Sequence, residues 1–286
     1  MKFIFLAAFL SPFVLAQSSH NTRIHEIDPG THNEETLILL EDGTVAKLSS
    51  KNQEILQELK DSKEDSTWLQ IELSKEREIV AVGMGEDKSY EVDQGSVEEK
   101  EILYTPTVIP SDEVAMKIYK DMNRKYNQES QCYNRAHVWS WEMYQKFRVR
   151  SNKTFVFFTP KYIRRYNFEW WFHVAPSVLV QGSSGVVQKV MDYRYTKSPL
   201  TTKAWTDVFM HNNADCPIIE KYTDYEYTRS NADAPWCMVL QVPMYYYQPL
   251  DLEALAKKGK VRQFWEEWEV SNAYREAFNY RTDSGI

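Results

Sequence analysis

Three residues of this chain have the types that nucleophilic catalysis needs: Cys132, His173 and Asp192. Cys132 opens the run Cys132-Tyr-Asn-Arg-Ala-His137-Val-Trp-Ser-Trp-Glu-Met143, preceded by Glu129, Ser130 and Gln131. Those polar residues read as a cap, and Ala136, Trp139 and Met143 follow at helical spacing. The cysteine therefore falls in the first turn of a helix. The partial positive charge of a helix N-terminus favours thiolate over thiol there. The thiolate is the attacking form, so the position suits a nucleophile. A lone cysteine is more often a small buried apolar residue, and position alone leaves the two readings level.

His173 sits in the apolar, strand-like run Trp171-Phe-His-Val, just before Pro176. Asp192 ends a second such run, Val186 to Met191, and Gly182-Ser-Ser-Gly185 reads as the hairpin turn between them. A hairpin sets its strands side by side, so His173 and Asp192 can meet across the pair. His173 would accept the thiol proton or hold it as an imidazolium, and Asp192 would fix the ring and stabilise its charge. The blander readings are a hydrogen-bonded core histidine and a turn aspartate.

The elements around these residues set the domain plan. Lys2, the apolar stretch Phe3 to Phe13, and Val14-Leu15-Ala16 have the form of a signal peptide, 1–16, with cleavage expected after Ala16. No other segment approaches ~20 apolar residues. The expected mature protein is secreted or periplasmic, with no membrane association. Residues 17–35 are polar and expected to be loose. Thr36 to Leu48 reads as a hairpin, Ser49-Ser50 as the cap of a helix, and Trp68–Leu73 and Ile79–Gly83 as strands. These make a small α+β unit over 17–90. Glu86 to Glu101 is charged and poor in apolar residues, and a linker, open to proteolysis, is expected over 91–104.

The larger unit runs from 105 to 286. Ser111 caps a helix whose inner face carries Val114, Ile118, Tyr119 and Met122. Strands are expected at Lys153–Phe158, Trp170–Ala175, Val178–Val180, Val186–Asp192 and Met238–Val242, with a short helix at Thr201–Met210. Leu250 to Phe278 reads as mostly helix and forms a C-terminal extension.

Export bears on the cysteines. Of the three, Cys216 and Cys237 lie close together around a turn-rich stretch and are the natural disulfide pair in an oxidising compartment. That loop would stabilise the fold by roughly 3 kcal/mol in the loop-entropy account. Cys132 is left as the free thiol. Charge is divided unevenly: residues 17–108 hold 21 Asp/Glu against 9 Lys/Arg, and residues 109–286 hold 20 against 24. The acidic segment can be drawn to the basic one within one molecule, or can simply be well solvated. With a pI of about 5.5 and no basic stripe, nucleic acid is not an expected partner.

The segments Gln131-Cys-Tyr-Asn-Arg-Ala-His137, Trp170-Trp-Phe-His-Val-Ala-Pro176, and Val190-Met-Asp192 with Ser198-Pro199 and Trp205 resemble the secreted bacterial protein-glutaminases, or protein-glutamine deamidases. The resemblance spans roughly residues 105–247. It implies an α+β fold with a papain- or transglutaminase-like core, in which the nucleophile's helix packs on an antiparallel sheet, behind a small α+β pro-domain. It implies Cys132 as nucleophile, His173 as base and Asp192 as orienting acid. The activity implied is hydrolysis of glutamine side-chain amides in proteins or peptides, through a cysteine thioester. It further implies an intramolecular inhibitory pro-domain, removed by an activating protease.

The same triad suits a transglutaminase or a cysteine protease, and a non-catalytic secreted binding protein is the alternative from another class. The backbone N–H of Cys132 is a candidate oxyanion donor, and Gln131 a weaker one. His137 lies on a different helical face from Cys132 and reads as structural. Trp139, Trp141, Trp170 and Trp171 are candidates for cleft walls or, more simply, core. His20, His25 and His32 are a weak metal set in a solvated tail, and no cofactor or metal is expected, since no CxxC, HExxH, phosphate-binding glycine loop or GxSxG occurs.

Overall fold

The computed structural model describes residues 17–30, 35–87, 104–259 and 262–278. The expected signal peptide, nearly all of the expected linker, and His32 lie outside the described residues. The chain divides into two compact units: Met1–Val97 with Glu169–Trp171, and Glu98–Phe168 with Phe172–Ile286.

The first unit contains β1 (Ser18–Thr22), β2 (Ile24–Asp28), β3 (Thr36–Leu40), β4 (Val45–Leu48), α1 (Gln53–Asp65), β5 (Leu69–Leu73) and β6 (Ile79–Met84). They form two antiparallel sheets of three strands, ordered β2-β3-β4 and β1-β5-β6. Ile24, Ile38, Leu40, Leu59, Ile71 and Leu73 anchor its core. The expected loose tail is thus two strands. A polar stretch can hold an edge position because backbone groups make the ladder, and here the buried Thr22 and Ile24 face inward. The β3–β4 turn closes at Gly43, whose φ of 97° suits a residue without a Cβ. The helix starts after Asn52 rather than at the serine pair.

Glu169–Trp171 groups with this unit. Val45 N–H donates to Glu169 O at 2.9 Å, and Trp171 donates its backbone N–H to Gly43 O at 3.1 Å and its indole N–H to Leu40 O at 2.7 Å. His25 stacks on Trp171 at 4.2 Å. Trp170 and Trp171 therefore do not begin the histidine strand.

The second unit contains β7 (Val108–Ile109), α2 (Asp112–Asp121), α3 (Cys132–Phe147), β8 (Asn152–Phe158), α4 (Pro160–Tyr166), β9 (Phe172–Gly182), β10 (Gly185–Val190), β11 (Leu200–Thr201), α5 (Thr202–Asp207), β12 (Ile218–Ile219), α6 (Tyr222–Thr228), β13 (Cys237–Pro243), α7 (Pro249–Lys258) and α8 (Glu267–Phe278). Its sheet has the order β11-β10-β9-β8-β13-β12, with β7 also on β9. Pairings are antiparallel except β7 with β9 and β12 with β13. The molecule is therefore mixed α+β with antiparallel sheets.

Two expected strands around Pro176 are one, β9. The last β9–β10 pair is Ser177 with Val190, so the missing proline N–H falls where β10 leaves the sheet and costs no ladder bond there. Ser111 caps α2, its Oγ accepting Val114 N–H at 3.4 Å, a contact of about 1 kcal/mol. The C-terminal extension is two helices, with Gly259 ending α7 at φ 63°.

The helix α3 is the centre of this unit. Asn134 through Ser140 are all buried, between β9 and α8. A helix enclosed on every side usually is apolar all round. This one encloses Asn134, Arg135, His137 and Ser140, so its surroundings must answer each polar group. Cys216 and Cys237 form a disulfide, and Cys132 is free. Among the described residues, no helix is long and apolar enough to cross a membrane.

Candidate active site

Gln131 caps α3 with extended backbone, φ −67° and ψ 146°, and its side chain bonds none of the first-turn N–H groups. Cys132 is the first helical residue and is half-buried. The helix start expected from the Cys132 segment is therefore present.

His173 is the second residue of β9, opposite Val156 of β8. Asp192 lies two residues beyond the end of β10, where the chain turns: its backbone oxygen accepts N–H groups from Tyr195 at 3.3 Å and Thr196 at 3.0 Å. Asp192 is thus a turn residue by its backbone, yet its carboxylate points inward. His173 Nε2 donates to Asp192 Oδ2 at 2.7 Å, and Trp205 Nε1 donates to the same oxygen at 2.9 Å. Both partners are buried, at 2 % and 1 % exposure.

Burial by itself lowers the basicity of His173. The charge and hydrogen bond of Asp192 overcome it, Cys132 beside the ring adds to the pull, and the imidazole is raised to about 9. For Asp192, burial pushes the carboxyl up, but the charge and hydrogen bond of His173, the Trp205 hydrogen bond and the Arg135 charge hold it below its usual value. The imidazole is enclosed by aromatic rings: Tyr195 edge-on at 5.1 Å, Trp205 at 5.7 Å and Phe209 at 4.8 Å. A histidine so placed is protonated at neutral pH, pinned by a carboxylate, and next to a thiol at a helix start. That arrangement can hold a thiolate–imidazolium pair.

Three groups at this site were not singled out as functional from the sequence. Trp205 supplies the second donor to Asp192, Tyr195 faces the imidazole, and Arg135 is a buried cation on the helix that Cys132 opens. Arg135 left a local signal in its spacing of three residues from Cys132, and Trp205 stands among the residues that carry the family resemblance.

The remaining candidates lie elsewhere. His137 is fully buried: Lys153 Nζ donates to its Nδ1 at 2.7 Å, and its Nε2 stands 3.8 Å from Glu269 Oε2. Trp139 is core, donating to Asn123 O at 2.9 Å, and Trp141 packs edge-on against Trp265 at 5.4 Å. His20 binds Asp42 at 2.7 Å and His25 is the residue stacked on Trp171. Among the described residues, no three His, Cys, Asp or Glu side chains group as a metal site.

Residues 110–209 match the family model described as Glutaminase, a span that includes Cys132, His173 and Asp192. Among solved structures, the crystal structure of the A47Q2 mutant of pro-protein-glutaminase is similar at 15 % identity and a TM-score of 0.50, covering 80 % of this chain and 83 % of that one. The crystal structure of pro-protein-glutaminase gives 14 % identity and a TM-score of 0.49, over 81 % of this chain and 84 % of that one. At such identity the structural likeness concerns the fold. No curated protein sequence matches the chain.

Proposed function

We propose, from the match of residues 110–209 to the glutaminase family model, that this chain is a cysteine-dependent protein-glutamine deamidase. The observation that carries the proposal is the buried His173–Asp192 pair at 2.7 Å, raised to about 9 at the imidazole with Cys132 alongside.

The thiolate of Cys132 attacks the γ-carboxamide carbon of a substrate glutamine. The carbonyl oxygen takes the negative charge, and the backbone N–H of Cys132 at the start of α3 is the proposed donor to it. The C–N bond then breaks as His173 gives its proton to the departing nitrogen, and ammonia leaves a thioester. His173, now neutral, takes a proton from water, whose oxygen attacks the thioester carbon. The C–S bond breaks, releasing glutamate and returning the thiolate beside imidazolium. Asp192 holds the ring in place through both halves.

Residues 17–90 are proposed as a pro-segment and 91–104 as the stretch that an activating protease cuts, by analogy with the structurally similar pro-protein-glutaminase. Export by a signal peptide over 1–16 belongs to the same reading. The exposed glutamines of proteins or peptides are the substrates.

The test is ammonia release from a glutamine-rich protein by the proteolysed chain, with mass spectrometry of the product. Each event should add about 1 Da as glutamine becomes glutamate, and Cys132→Ala should abolish it. A crosslinked product would point to transglutamination and a shortened backbone to proteolysis. Release unchanged by Cys132→Ala would remove the cysteine mechanism.

A further inference from the structure

Charge balance at the site has a gap that the three proposed residues do not close. In the thiolate–imidazolium form, Cys132 and Asp192 are each negative and His173 is positive, which leaves one net negative charge. His173 and Asp192 are 2 % and 1 % exposed, and an uncompensated charge at such depth is strongly disfavoured.

Arg135 presents the opposite problem. Its guanidinium is permanently charged and only 3 % exposed. Among the described residues no carboxylate pairs with it. Its Nη1 donates to Ser130 O and, at 3.0 Å, to Ser130 Oγ, and its Cζ lies 5.8 Å from the Tyr126 ring centre. All of these are neutral acceptors. Three residues after Cys132, Arg135 shares the helix face of the thiol. The groups whose charge acts on it are Cys132 from its own helix, then Asp192 and Tyr195 from the loop after β10, with Arg194 of that loop opposing; the imidazole of His173 is the remaining charge of the site.

We propose that Arg135 is the fixed counter-charge of the nucleophile, a positioning residue that acts through Cys132. The inference rests on Cys132, His173 and Asp192 having the roles given above. With Arg135 included, the charges of Cys132, His173, Asp192 and Arg135 sum to zero at every stage. The resting state holds Cys132 and Asp192 negative against His173 and Arg135 positive. In the tetrahedral adduct the negative charge has moved from sulfur to oxygen. In the thioester, sulfur and imidazole are both neutral, and Asp192 balances Arg135. No step then creates a net charge in the buried site, which is the condition for a low barrier where water cannot respond.

Alkylation of Cys132 tests this without reference to glutamine chemistry. Iodoacetamide is neutral, the other two cysteines are tied in the disulfide, and the labelled peptide can be followed by mass spectrometry from pH 4 to 9.5. In wild type the rate should follow the thiolate fraction of Cys132 along a single pH limb. Arg135→Met should move that limb upward by about one pH unit, a roughly tenfold slower reaction at pH values below both limbs. Rates at pH 9.5 should stay within about twofold, since the thiol is ionised in each case. Arg135→Lys keeps the charge and should keep the limb. A guanidinium that only tethers the Ser130 loop would leave the limb in place in Arg135→Met while lowering thermal stability, and that result overturns the proposal. Should Arg135→Met not fold, Cys132→Ala gives a second reading. Deleting the anion strands the guanidinium, so the loss in Tm should be larger at pH 7.5 than at pH 4.5; equal losses overturn the proposal. The two readings separate cleanly. A shifted Arg135→Met limb in a chain that releases no ammonia upholds the counter-charge and removes the deamidase. An ordinary thiol limb in wild type removes the triad and the counter-charge with it.

Discussion

His173 and His137 are buried to the same depth, at 2 % and 0 % exposure, and they end in opposite states. His173 faces a carboxylate at 2.7 Å and is raised to about 9. His137, on α3 itself, is lowered well below its usual value, first by burial and then by the charges of Lys153 and Arg262. Lys153 Nζ donates to His137 Nδ1, so that nitrogen must be bare and the ring's single proton sits on Nε2, towards Glu269. Burial neutralises a histidine unless an anion is placed against it. One ring is thereby raised and paired with a carboxylate, and the other is lowered and accepts from Lys153 of β8 while its Nε2 stands 3.8 Å from Glu269 of α8.

Taking the anion away from His173 should therefore make it behave like His137. Asp192→Asn retains the shape and an acceptor oxygen but removes the charge. The imidazole should titrate below its ordinary range by NMR, and ammonia release at pH 7 should fall by about 10³-fold or more. The folded state, checked by near-ultraviolet circular dichroism, should persist. A variant that keeps imidazolium at pH 7.5, or keeps its activity, would break the contrast.

Removing the cation from the other cluster should act on stability instead. Lys153 is wholly buried, donates to His137 and Tyr246 O, and is lowered to about 7, with burial as the main cause. Lys153→Met leaves both acceptors unanswered and should cost about 1–3 kcal/mol in denaturant titrations, with activity within about threefold of wild type. The pH dependence has a definite sign. A lysine lowered on folding makes charged Lys153 a cost below pH 7, and that cost fades as pH rises towards the unfolded value of about 10.4. Wild type should thus gain on Lys153→Met as pH rises from 7 to 10. His173, raised on folding, contributes stability fully below about 6.5 and loses it as pH passes through 9. Asp192→Asn should flatten that second dependence, so the two variants should diverge in opposite directions across the same window.

How far the sequence anticipates these two regions follows from the range of the contacts. The start of α3 at Cys132, the turn Gly182–Gly185 and the Cys216–Cys237 bond depend on neighbours in sequence or on turn chemistry, and all three are legible. Pro176 reads as a break because nothing local reveals that β10 departs beside it. Residues 18–28 look unstructured because their strand order comes from partners at Leu69–Leu73 and Leu37–Leu40 rather than from their own polarity. The partners of Arg135 and His137 are hardest: Arg135 is met by Tyr126 and the Ser130 loop, and His137 by Lys153 of β8 and by Glu269 of α8, more than 120 residues later.

The smallest expected effect sharpens the contrast most finely. Asp192 Oδ2 accepts from both His173 and Trp205, while Glu269 meets His137 only at 3.8 Å and gives its other oxygen to Arg262 at 2.6 Å. The indole therefore fixes which way the Asp192 carboxylate faces, something the His137 cluster does with a cation. Trp205→Phe keeps an aromatic ring beside His173 and deletes the donor. One hydrogen bond to a charged oxygen is worth roughly 1.5–3 kcal/mol at most, and part of it will be recovered by the shorter bond to His173. Ammonia release should fall about three- to tenfold, and the His173 titration should stay above neutral because the carboxylate charge remains. The upper limb of the pH profile is the decisive reading. With one donor gone, the carboxylate charge is less shared, so His173 should hold its proton at least as firmly and that limb should not move down. A drop of the His173 titration to below pH 7 in Trp205→Phe would mean that the indole, rather than the anion, sets the state of the ring, and the distinction between the two histidines would have to be rebuilt on packing.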